Sequence, residues 1–245
     1  GFSEPPRTFH EALEMSEVIY EKTGSYGFPL NITIEKLMPL YEIDIISEDA
    51  SHATLNTPEA LELWTYLKEK YENGIIPDEI ITGQAKAAEL YAQEKIAIWY
   101  TGPQLFRQVN DLAPEIYDKS DAAPALITDK NIDRAAIMNI AIPADSHNVE
   151  LAVKFGAFLT NAENQLEFAK EANVLPSVIE ATQDEYFEIN DSITDPAEKG
   201  NNFAAQSLEI AIDTTIPVEN ASEITTVVRE EFERVLLQDK DPQEA

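Results

Sequence analysis

The side chains in this sequence that could most readily do chemistry are its carboxylates. Asp and Glu number 46 among 245 residues, so carboxylate pairs occur throughout the chain and their proximity in sequence discriminates little between function and chance. Glu42 and Asp44 form the one pair singled out, because they lie in a long irregular segment, residues 31–53, and such loops often carry function. A carbohydrate-active enzyme that uses Glu42 and Asp44 is therefore one alternative.

Other catalytic and metal-binding patterns are missing from the sequence. There is no Cys, and the three His residues, His10, His52 and His147, each lie beside a predicted turn or helix start. No HExxH, GxSxG or Walker pattern occurs. Acidic pairs at 48–49 and 78–79 lack the spacing of an EF-hand loop, which favours solvated turns over a calcium site. The sequence predicts no catalytic residue, no metal and no cofactor.

The charge balance limits the partners that the protein can bind. Lys and Arg total 17 against 46 Asp and Glu, for a net charge of −29. Nucleic acid and anionic membrane surfaces would be repelled, since binding phosphate requires clustered cations. The acidity has two open interpretations, a highly soluble surface or a carboxylate-rich surface that stays hydrated in salt. No stretch approaches the roughly 20 apolar residues of a membrane span.

Helix signals recur along the chain. A capping box at Thr8-Phe9-His10-Glu11 predicts a first helix that ends at Thr23-Gly24, and a second begins at Asn56-Thr57-Pro58 and ends at Asn73-Gly74. We expect the second helix to bury Leu61, Trp64, Leu67 and Tyr71. Further helices are predicted over residues 82–94, 148–159, 162–172 with Asn161 as cap, 202–212, and 222–237 with Ser222 as N-cap.

Strand signals alternate with these helices. Short apolar runs predict strands over 26–30, 96–100, 122–127 and 135–142. This alternation favours an α/β layer structure over a bundle or a β-sandwich. Thr101-Gly102-Pro103 turns one strand into a helix, which places free backbone N–H groups at the strand's carboxyl end, where α/β proteins bind ligands.

An ordered set of motifs resembles a known family. Collinear matches run through almost the whole chain, and the set resembles carbohydrate-specific extracellular solute-binding proteins related to the maltose-binding protein. The matching segments are Pro6-Arg7-Thr8-Phe9, Thr23-Gly24-Ser25-Tyr26-Gly27-Phe28, Asn56-Thr57-Pro58-Glu59-Ala60, residues 96–103, Ile140-Ala141-Ile142-Pro143, residues 158–165 and Val174-Leu175-Pro176-Ser177.

The resemblance implies a type II periplasmic-binding-protein-like α/β fold with two lobes. Residues 1–126 and 189–245 would form most of the C-terminal lobe, and 127–188 would be a remnant of the N-terminal lobe. The sequence has no initiator Met and no signal peptide, and a helix begins within its first ten residues. We therefore expect an upstream segment, which would complete the N-terminal lobe, to be missing, and we expect residues 127–188 to be looser than the rest.

The resemblance also implies a function. The chain would be a non-catalytic, extracytoplasmic receptor, periplasmic or lipid-anchored, that binds a sugar in an interlobe cleft and delivers it to an ABC permease in the membrane. If the acidity reflects a saline habitat, a glycosidic compatible solute such as glucosylglycerol, trehalose or sucrose becomes the expected ligand. A folded interaction module that binds no small molecule is a further alternative.

Candidate ligand-binding residues follow from the same resemblance. Family members stack aromatic rings on sugar C–H faces and bind the hydroxyls with polar groups. Gln104 stands where the family commonly has Trp, which removes one stacking platform and argues against a long maltodextrin ligand. The implied ligand-binding residues are Tyr41, Glu42, Tyr100, Thr101, Gly102, Gln104, Met138, Asn139 and Asn220.

Overall fold

The computed structural model describes residues 2–190 and 192–245, which divide into two units. Unit 1 contains the chain up to Tyr100 together with Leu126–Ala135 and Ile210–Ala245, and unit 2 contains Thr101–Ala125 and Ala136–Glu209. This division groups residues by contacts within the chain. The predicted lobe boundaries after residues 126 and 188 concern a larger architecture and stay a prediction.

Helices make up most of the regular structure. In the described residues the α-helices are α1 (Phe9–Thr23), α2 (Ile34–Leu37), α3 (Pro58–Glu72), α4 (Asp78–Ile81), α5 (Ala87–Ala92), α6 (Phe106–Leu112), α7 (Pro114–Tyr117), α8 (Val149–Leu159), α9 (Ala162–Ala172), α10 (Ile179–Thr182), α11 (Pro196–Ser207) and α12 (Ala221–Leu237). Short 3₁₀ helices cover Met38–Tyr41, Pro103–Leu105, Glu185–Phe187 and Pro242–Glu244.

Local capping chemistry explains where several helices begin. Thr8 Oγ1 accepts a hydrogen bond from Glu11 N at 3.0 Å, and the Glu11 side chain returns the bond to the Thr8 backbone, so the predicted capping box is confirmed. Thr57 and Asn161 cap α3 and α9. Ser222 as an N-cap is wrong, because α12 begins at Ala221 and Asn220 occupies the cap position.

The helix predicted over 82–94 is split in the structure. Gly83 has a φ of +69° in the left-handed region, which ends α4 soon after Ile81, and a new helix, α5, begins only at Ala87. The last predicted helix before α12 is displaced toward the N-terminus. Asp195 caps α11 through its side chain, with Pro196 at the first position, and residues 211–213 form a strand instead.

Strand pairing in unit 1 is brief. Strands β1 (Asp133–Ala135) and β2 (Ala211–Asp213) pair in parallel, with Arg134 opposite Ile212. The predicted strands at 26–30 and 96–100 are joined by a parallel bridge between Tyr26 and Ile96 and by a hydrogen bond from Ile98 N to the Gly27 carbonyl at 3.0 Å. The strand predicted at 122–127 contributes one bridge, from Ile127 to Thr8. The strand predicted over 135–142 is wrong beyond Ala135, because residues 136–142 pair with no described strand.

The core of unit 1 is built on the apolar faces of α1, α3 and α12. Trp64 and Phe232 pack edge to face with ring centroids 5.2 Å apart, and Leu13 and Leu67 are each 1% exposed. Leu61, predicted to be buried on α3, is exposed instead, and Tyr71 is half-buried.

Unit 2 is helical in its described part. The rings of Phe106 and Tyr117 meet edge to face, and the Tyr117 hydroxyl donates to Asp195 Oδ2 at 2.6 Å, which ties α7 to the start of α11. Lys199 Nζ donates to both carboxylate oxygens of Asp121 at 2.7 Å. Many large apolar side chains between residues 137 and 168 remain exposed in this unit.

Candidate functional site

Tyr100 is the candidate that unit 1 holds most firmly. Asn31 Nδ2 donates to the Tyr100 carbonyl at 2.7 Å, and Asn31 Oδ1 accepts from the Tyr100 N–H at 3.3 Å. The ring packs edge to face on Phe9, with centroids 5.1 Å apart. The hydroxyl donates to Asp133 Oδ1 at 3.2 Å. Burial, and then the charge of Asp133, raise the pKa of Tyr100, so the phenol stays protonated at neutral pH.

Tyr41 and Glu42 lie at the end of the 3₁₀ helix Met38–Tyr41. Desolvation, with a smaller contribution from the charge of Asp129, raises the pKa of Tyr41 to about 12. Glu42 adopts a left-handed backbone with φ 59°, and its carboxylate lies 3.4 Å from Lys130 Nζ. Such a backbone is uncommon for a residue with a side chain. The Glu42 side chain is 63% exposed.

One segment of unit 1 joins these candidates. Residues 128–133 contact the Tyr41 region at one end, where Thr128 Oγ1 donates to the Leu40 carbonyl at 2.5 Å, and contact Tyr100 at the other through Asp133. Arg134 continues the segment and donates from Nε to Thr214 Oγ1 at 3.2 Å. The structure thus brings Tyr41, Glu42 and Tyr100 to a shared polar segment.

Sequence reasoning missed the residues that make this arrangement. Asn31, Asp129, Lys130 and Asp133 were not among the candidates, although each contacts a candidate or perturbs its pKa. One signal was available: Asp133 and Arg134 are charged residues that interrupt the apolar run Ile132 to Ile137, and a charged residue in such a run needs a partner.

The turn after Tyr100 carries three candidates of unit 2. Gly102 precedes the 3₁₀ helix Pro103–Leu105, and its carbonyl accepts from Leu105 N at 3.1 Å. The Gln104 side chain folds back over Gly102, where an added Cβ would lie 2.3 Å from Gln104 Oε1. Thr101 and Gln104 are exposed, so their polar groups are accessible to a ligand.

The remaining candidates are exposed in their own surroundings. Met138 is 80% exposed, and Asn139 beside it is exposed as well, in a segment of unit 2 without regular structure. Asn220 in unit 1 is exposed at the N-cap of α12, where its carbonyl accepts from Glu223 N and Ile224 N while its side chain makes no capping bond. The Asn220 amide is therefore accessible to solutes.

The candidate enzyme pair is also at the surface. Glu42 and Asp44 are both exposed, and the side chain of Ile43 between them is buried.

The acidic turn at 48–49 is stabilised by hydrogen bonds within the turn. Ser47 Oγ donates to Asp49 Oδ1 at 2.6 Å, and this bond is the main cause of the lowered pKa of Asp49. Among the described residues, no group of three or more His, Asp or Glu side chains could hold a metal ion.

A small cavity in unit 2 lies apart from the candidates. It has a volume of about 110 Å³ and is lined by residues that include Phe203, Lys199 and Asn202. Asn202 Nδ2 donates to the Glu188 carbonyl at 2.5 Å, while its Oδ1 finds no hydrogen-bond partner among the described residues. None of the nine candidate residues lines this cavity.

The sequence profile of a protein family matches residues 2–197, and that family is described as bacterial extracellular solute-binding protein. The chain belongs to this family. Among curated proteins, no relative matches. Within residues 2–190 and 192–245, no helix combines the length and apolar character needed to cross a membrane.

Solved structures of other proteins share the fold of this chain. A protein from Synechococcus sp. MITs9220, assigned as an oligosaccharide periplasmic-binding protein, superposes with a TM-score of 0.86 at 26% identity, over 100% of this chain and 65% of that one. Maltose-bound MalE3 of T. maritima gives 0.70 at 20% identity, over 100% and 64%. A Listeria monocytogenes ABC substrate-binding protein in complex with cycloalternan gives 0.73 at 21% identity, over 100% and 62%.

These likenesses confirm the predicted fold class. The neighbours have the type II periplasmic-binding-protein-like fold, and the family and these neighbours are solute-binding proteins. The chain spans just under two-thirds of the length of the structures it matches.

Proposed function

We propose that this family member is the sugar-binding receptor of an ABC importer. The observation that carries the proposal is the set of structural neighbours, which were solved with maltose or cycloalternan or are assigned to oligosaccharides. A receptor of this kind is non-catalytic and works outside the cytoplasm, either free in the periplasm or anchored by a lipid, and it passes its solute to a membrane permease.

The ligand that we propose is a neutral, hydroxyl-rich glycoside of the glucosylglycerol, trehalose or sucrose class. Gln104 supports a compact ligand over a long maltodextrin, and the charge of the chain supports a neutral solute. Gln104 supplies an amide where the family commonly has an indole, and amides bind hydroxyls but provide no stacking surface. The net charge of −29 disfavours an anionic solute.

The proposed contacts are the candidate residues of each unit. In unit 1 they are Glu42, Asn220 and the aromatic edges of Tyr41 and Tyr100. The Tyr100 hydroxyl is already bonded to Asp133, so this residue would contribute its ring and would orient its neighbours. In unit 2 the proposed contacts are Thr101, Gly102, Gln104, Met138 and Asn139. The exposed ones among them can reach a solute without any rearrangement.

Titration calorimetry of the complete protein tests the proposal. The panel contains glucosylglycerol, trehalose, sucrose, maltose and maltotriose, with glycine betaine as a compatible solute that has no glycosidic bond. We expect heat from at least one glycoside, a dissociation constant of about 1–10 μM, and none from betaine. If none of the sugars binds at about 1 mM, the proposal is wrong.

An activity assay on the same complete protein distinguishes a receptor from an enzyme. A hydrolase based on Glu42 and Asp44 would release chromophore from a nitrophenyl glycoside and would lose that activity in a Glu42→Gln variant. We expect no turnover in either protein, because the family and its neighbours are solute-binding proteins. If no sugar changes the intrinsic fluorescence of Trp64 and Trp99, the result would instead favour an interaction module that binds no small molecule.

A further inference from the structure

The sequence contains one Asn-Gly pair, Asn73-Gly74, which lies directly after α3. The side-chain carbonyl carbon of an Asn can close a ring with the backbone nitrogen of the next residue, and this reaction makes Asn thermolabile. Glycine permits the ring closure best, because it has no Cβ to shield its nitrogen. The Asn73 side chain is exposed, so water can reach such a ring and open it.

The end of α3 engages the nitrogen that would attack. Gly74 has a left-handed φ of +72°. Its N–H donates to the Tyr71 carbonyl at 2.8 Å, and the Ile75 N–H donates to the Lys70 carbonyl at 3.0 Å. These two bonds form the Schellman motif that commonly ends a helix at glycine. The Gly74 nitrogen must lose its proton before it can attack, and a proton that is donated to a carbonyl is lost less readily.

Burial of Ile75 keeps this motif closed. Ile75 is 4% exposed and Ile76 is 2% exposed, and an apolar residue at the Ile75 position commonly packs back on the last turn of the helix. Local opening of a helix end requires less free energy than unfolding of a whole domain. The Gly74 nitrogen therefore becomes available when the last turn of α3 opens, while the rest of unit 1 stays folded.

We propose that Asn73 is a site of spontaneous deamidation, controlled by opening of the last turn of α3. In the opened turn the Gly74 nitrogen gives its proton to water and bonds to Asn73 Cγ. The bond from Cγ to Nδ2 breaks, and Nδ2 leaves as ammonia with a proton from water. One water molecule then opens the ring. Cleavage at Cγ yields aspartate, and cleavage at the main-chain carbonyl carbon of residue 73 yields isoaspartate. The reaction is independent of sugar binding.

Both products alter the end of α3. An isoaspartate adds one carbon to the main chain before Gly74, so the N–H groups of Gly74 and Ile75 no longer match the carbonyls of the last turn. Either product adds a carboxylate at the C-terminal end of the helix, where the helix dipole disfavours negative charge and Glu69 lies four residues away. Lys70 pairs with Glu14 of α1, so we expect loss of its carbonyl's donor to weaken the contact between α3 and α1.

Mass spectrometry of the chain, incubated in mildly alkaline buffer and then digested, gives the first measurement. A synthetic peptide of residues 66–80 in the same buffer gives the rate in the absence of a closed helix end. Water enriched in heavy oxygen labels both products formed during the incubation. We expect Asn73 to convert before any other Asn of the chain, and at least about tenfold more slowly in the folded chain than in the peptide.

Two substitutions distinguish opening of this turn from global unfolding. Ile75→Val removes one buried carbon from the motif and should speed the conversion of Asn73 by about three- to tenfold. Thr57→Ala, at the other end of α3, removes the bond from Ala60 N and is the control. It also destabilises the helix, but it should change the rate at Asn73 by less than about twofold. A peptide that carries Ile75→Val should react at the rate of the parent peptide.

Four results would overturn the proposal. Equal rates in the folded chain and the peptide would show that the helix end exerts no control. Equal acceleration by Ile75→Val and Thr57→Ala would make global unfolding the route. Earlier conversion of another Asn would move the site elsewhere. The fourth result is no conversion of Asn73 in the folded parent or in the Ile75→Val variant while the peptide converts completely.

The isoaspartate form, separated by ion exchange, tests the effect on the helix end. It should unfold at a lower urea concentration than an Asn73→Asp variant, which has the same charge and an unaltered main chain. Equal unfolding midpoints would contradict the loss of the Schellman bonds.

Discussion

Asn31 holds Tyr100 by both of its backbone polar groups, although 69 residues separate them in the chain. The Asn31 amide donates to the Tyr100 carbonyl through Nδ2 and accepts from the Tyr100 N–H through Oδ1, so one short side chain satisfies both groups. This contact fixes the end of the 96–100 segment in unit 1. The turn with Thr101, Gly102 and Gln104 follows directly in the sequence.

Asn31→Asp should weaken this contact without changing the shape of the side chain. A carboxylate still accepts from the Tyr100 N–H but repels its carbonyl, and the partly buried carbonyl loses its donor. We expect the free energy of unfolding in urea to fall by about 1–2 kcal/mol. Asn110→Asp, at an exposed position of α6, is the control, with an expected change below about 0.5 kcal/mol. Equal losses in the two variants would show that added charge, not the contact, is responsible.

Lys70 is the most buried cation of unit 1 with described acidic partners. Its side chain is 5% exposed, and its Nζ donates to Glu14 at 2.5 Å and to Glu17 at 2.6 Å. Burial alone lowers the pKa of Lys70, but the hydrogen bonds to the two carboxylates outweigh it and the pKa is raised. The hydrogen bond from Lys70 is the main cause of the lowered pKa of Glu14.

Lys70→Met should therefore destabilise the protein in a pH-dependent way. At pH 7 we expect a loss of about 1–2 kcal/mol, reduced from the value for a fully buried pair because Glu14 and Glu17 are partly solvated. A lowered pKa stabilises the fold above the ordinary value of 4.5 and ceases to do so as the pH falls through the folded-state value. Urea unfolding should thus show the difference from the parent shrinking below about pH 4.

The surface pair Lys154 and Glu150 provides the control for Lys70. Both side chains are exposed, at 70% and 86%, so Lys154→Met should change stability by less than about 0.5 kcal/mol at any pH. A Lys70→Met difference that stays constant to about pH 2 would mean that lost packing, and not the ion pairs, is the cause.

The features that could be predicted from sequence are those fixed within a few residues. The capping box at Thr8, the cap at Thr57 and the left-handed glycine at Gly24 each depend on neighbours no more than four positions away. The strand prediction was wrong beyond Ala135 for the opposite reason, because a strand depends on a partner that is distant in the sequence. Residues 136–142 have the composition of a strand, but a strand exists only with a partner, and none of the described chain supplies one.

The candidate site likewise contains some features that local sequence predicts and others that it does not. Thr101, Gly102 and Gln104 could be singled out because a strand, turn and helix signal marks them locally. The contact of Asn31 with Tyr100 and the pairing of Glu42 with Lys130 span 69 and 88 residues along the chain, and no local pattern encodes them. The nine candidates remain predictions of ligand contact.

Two hydroxyl residues near helix starts should differ in their effect on stability. Thr57 Oγ1 accepts from Ala60 N at 3.2 Å, so Thr57→Ala should cost about 1 kcal/mol. Ser222 lies inside α12, where its hydroxyl does not cap the helix, and Ser222→Ala should cost less than about 0.5 kcal/mol or slightly stabilise the protein. Urea unfolding of both variants measures the difference, and a larger loss at Ser222 would restore that residue as the cap.

Gln104→Trp should shift the proposed ligand preference toward longer sugars. Gln104 is exposed, so an indole can be accommodated, and a stacked aromatic ring adds about 0.5–1.5 kcal/mol to a contact. On the proposed function, we expect about 3–10-fold tighter binding of maltotriose in calorimetry, and no gain for glucosylglycerol. Gln108→Trp, also exposed on α6, is the matched control. A similar gain in both variants would indicate nonspecific stacking, and no gain in either would remove Gln104 from the site.

The acidity of the chain should make its stability depend on salt. With 46 acidic and 17 basic residues, repulsion between carboxylates opposes the compact state, and salt screens it within a Debye length of about 10 Å at 0.1 M and 3 Å at 1 M. We expect the melting temperature to rise between about 0.1 and 0.5 M KCl by screening, and to keep rising to about 2 M if the surface is adapted to salt. A double variant, Glu62→Gln with Glu69→Gln, removes two exposed charges from α3 and should gain less from the first addition of salt. A melting temperature that stays constant above about 0.5 M KCl would contradict the inference of a saline habitat. There would then be no reason to favour a compatible solute over another small sugar.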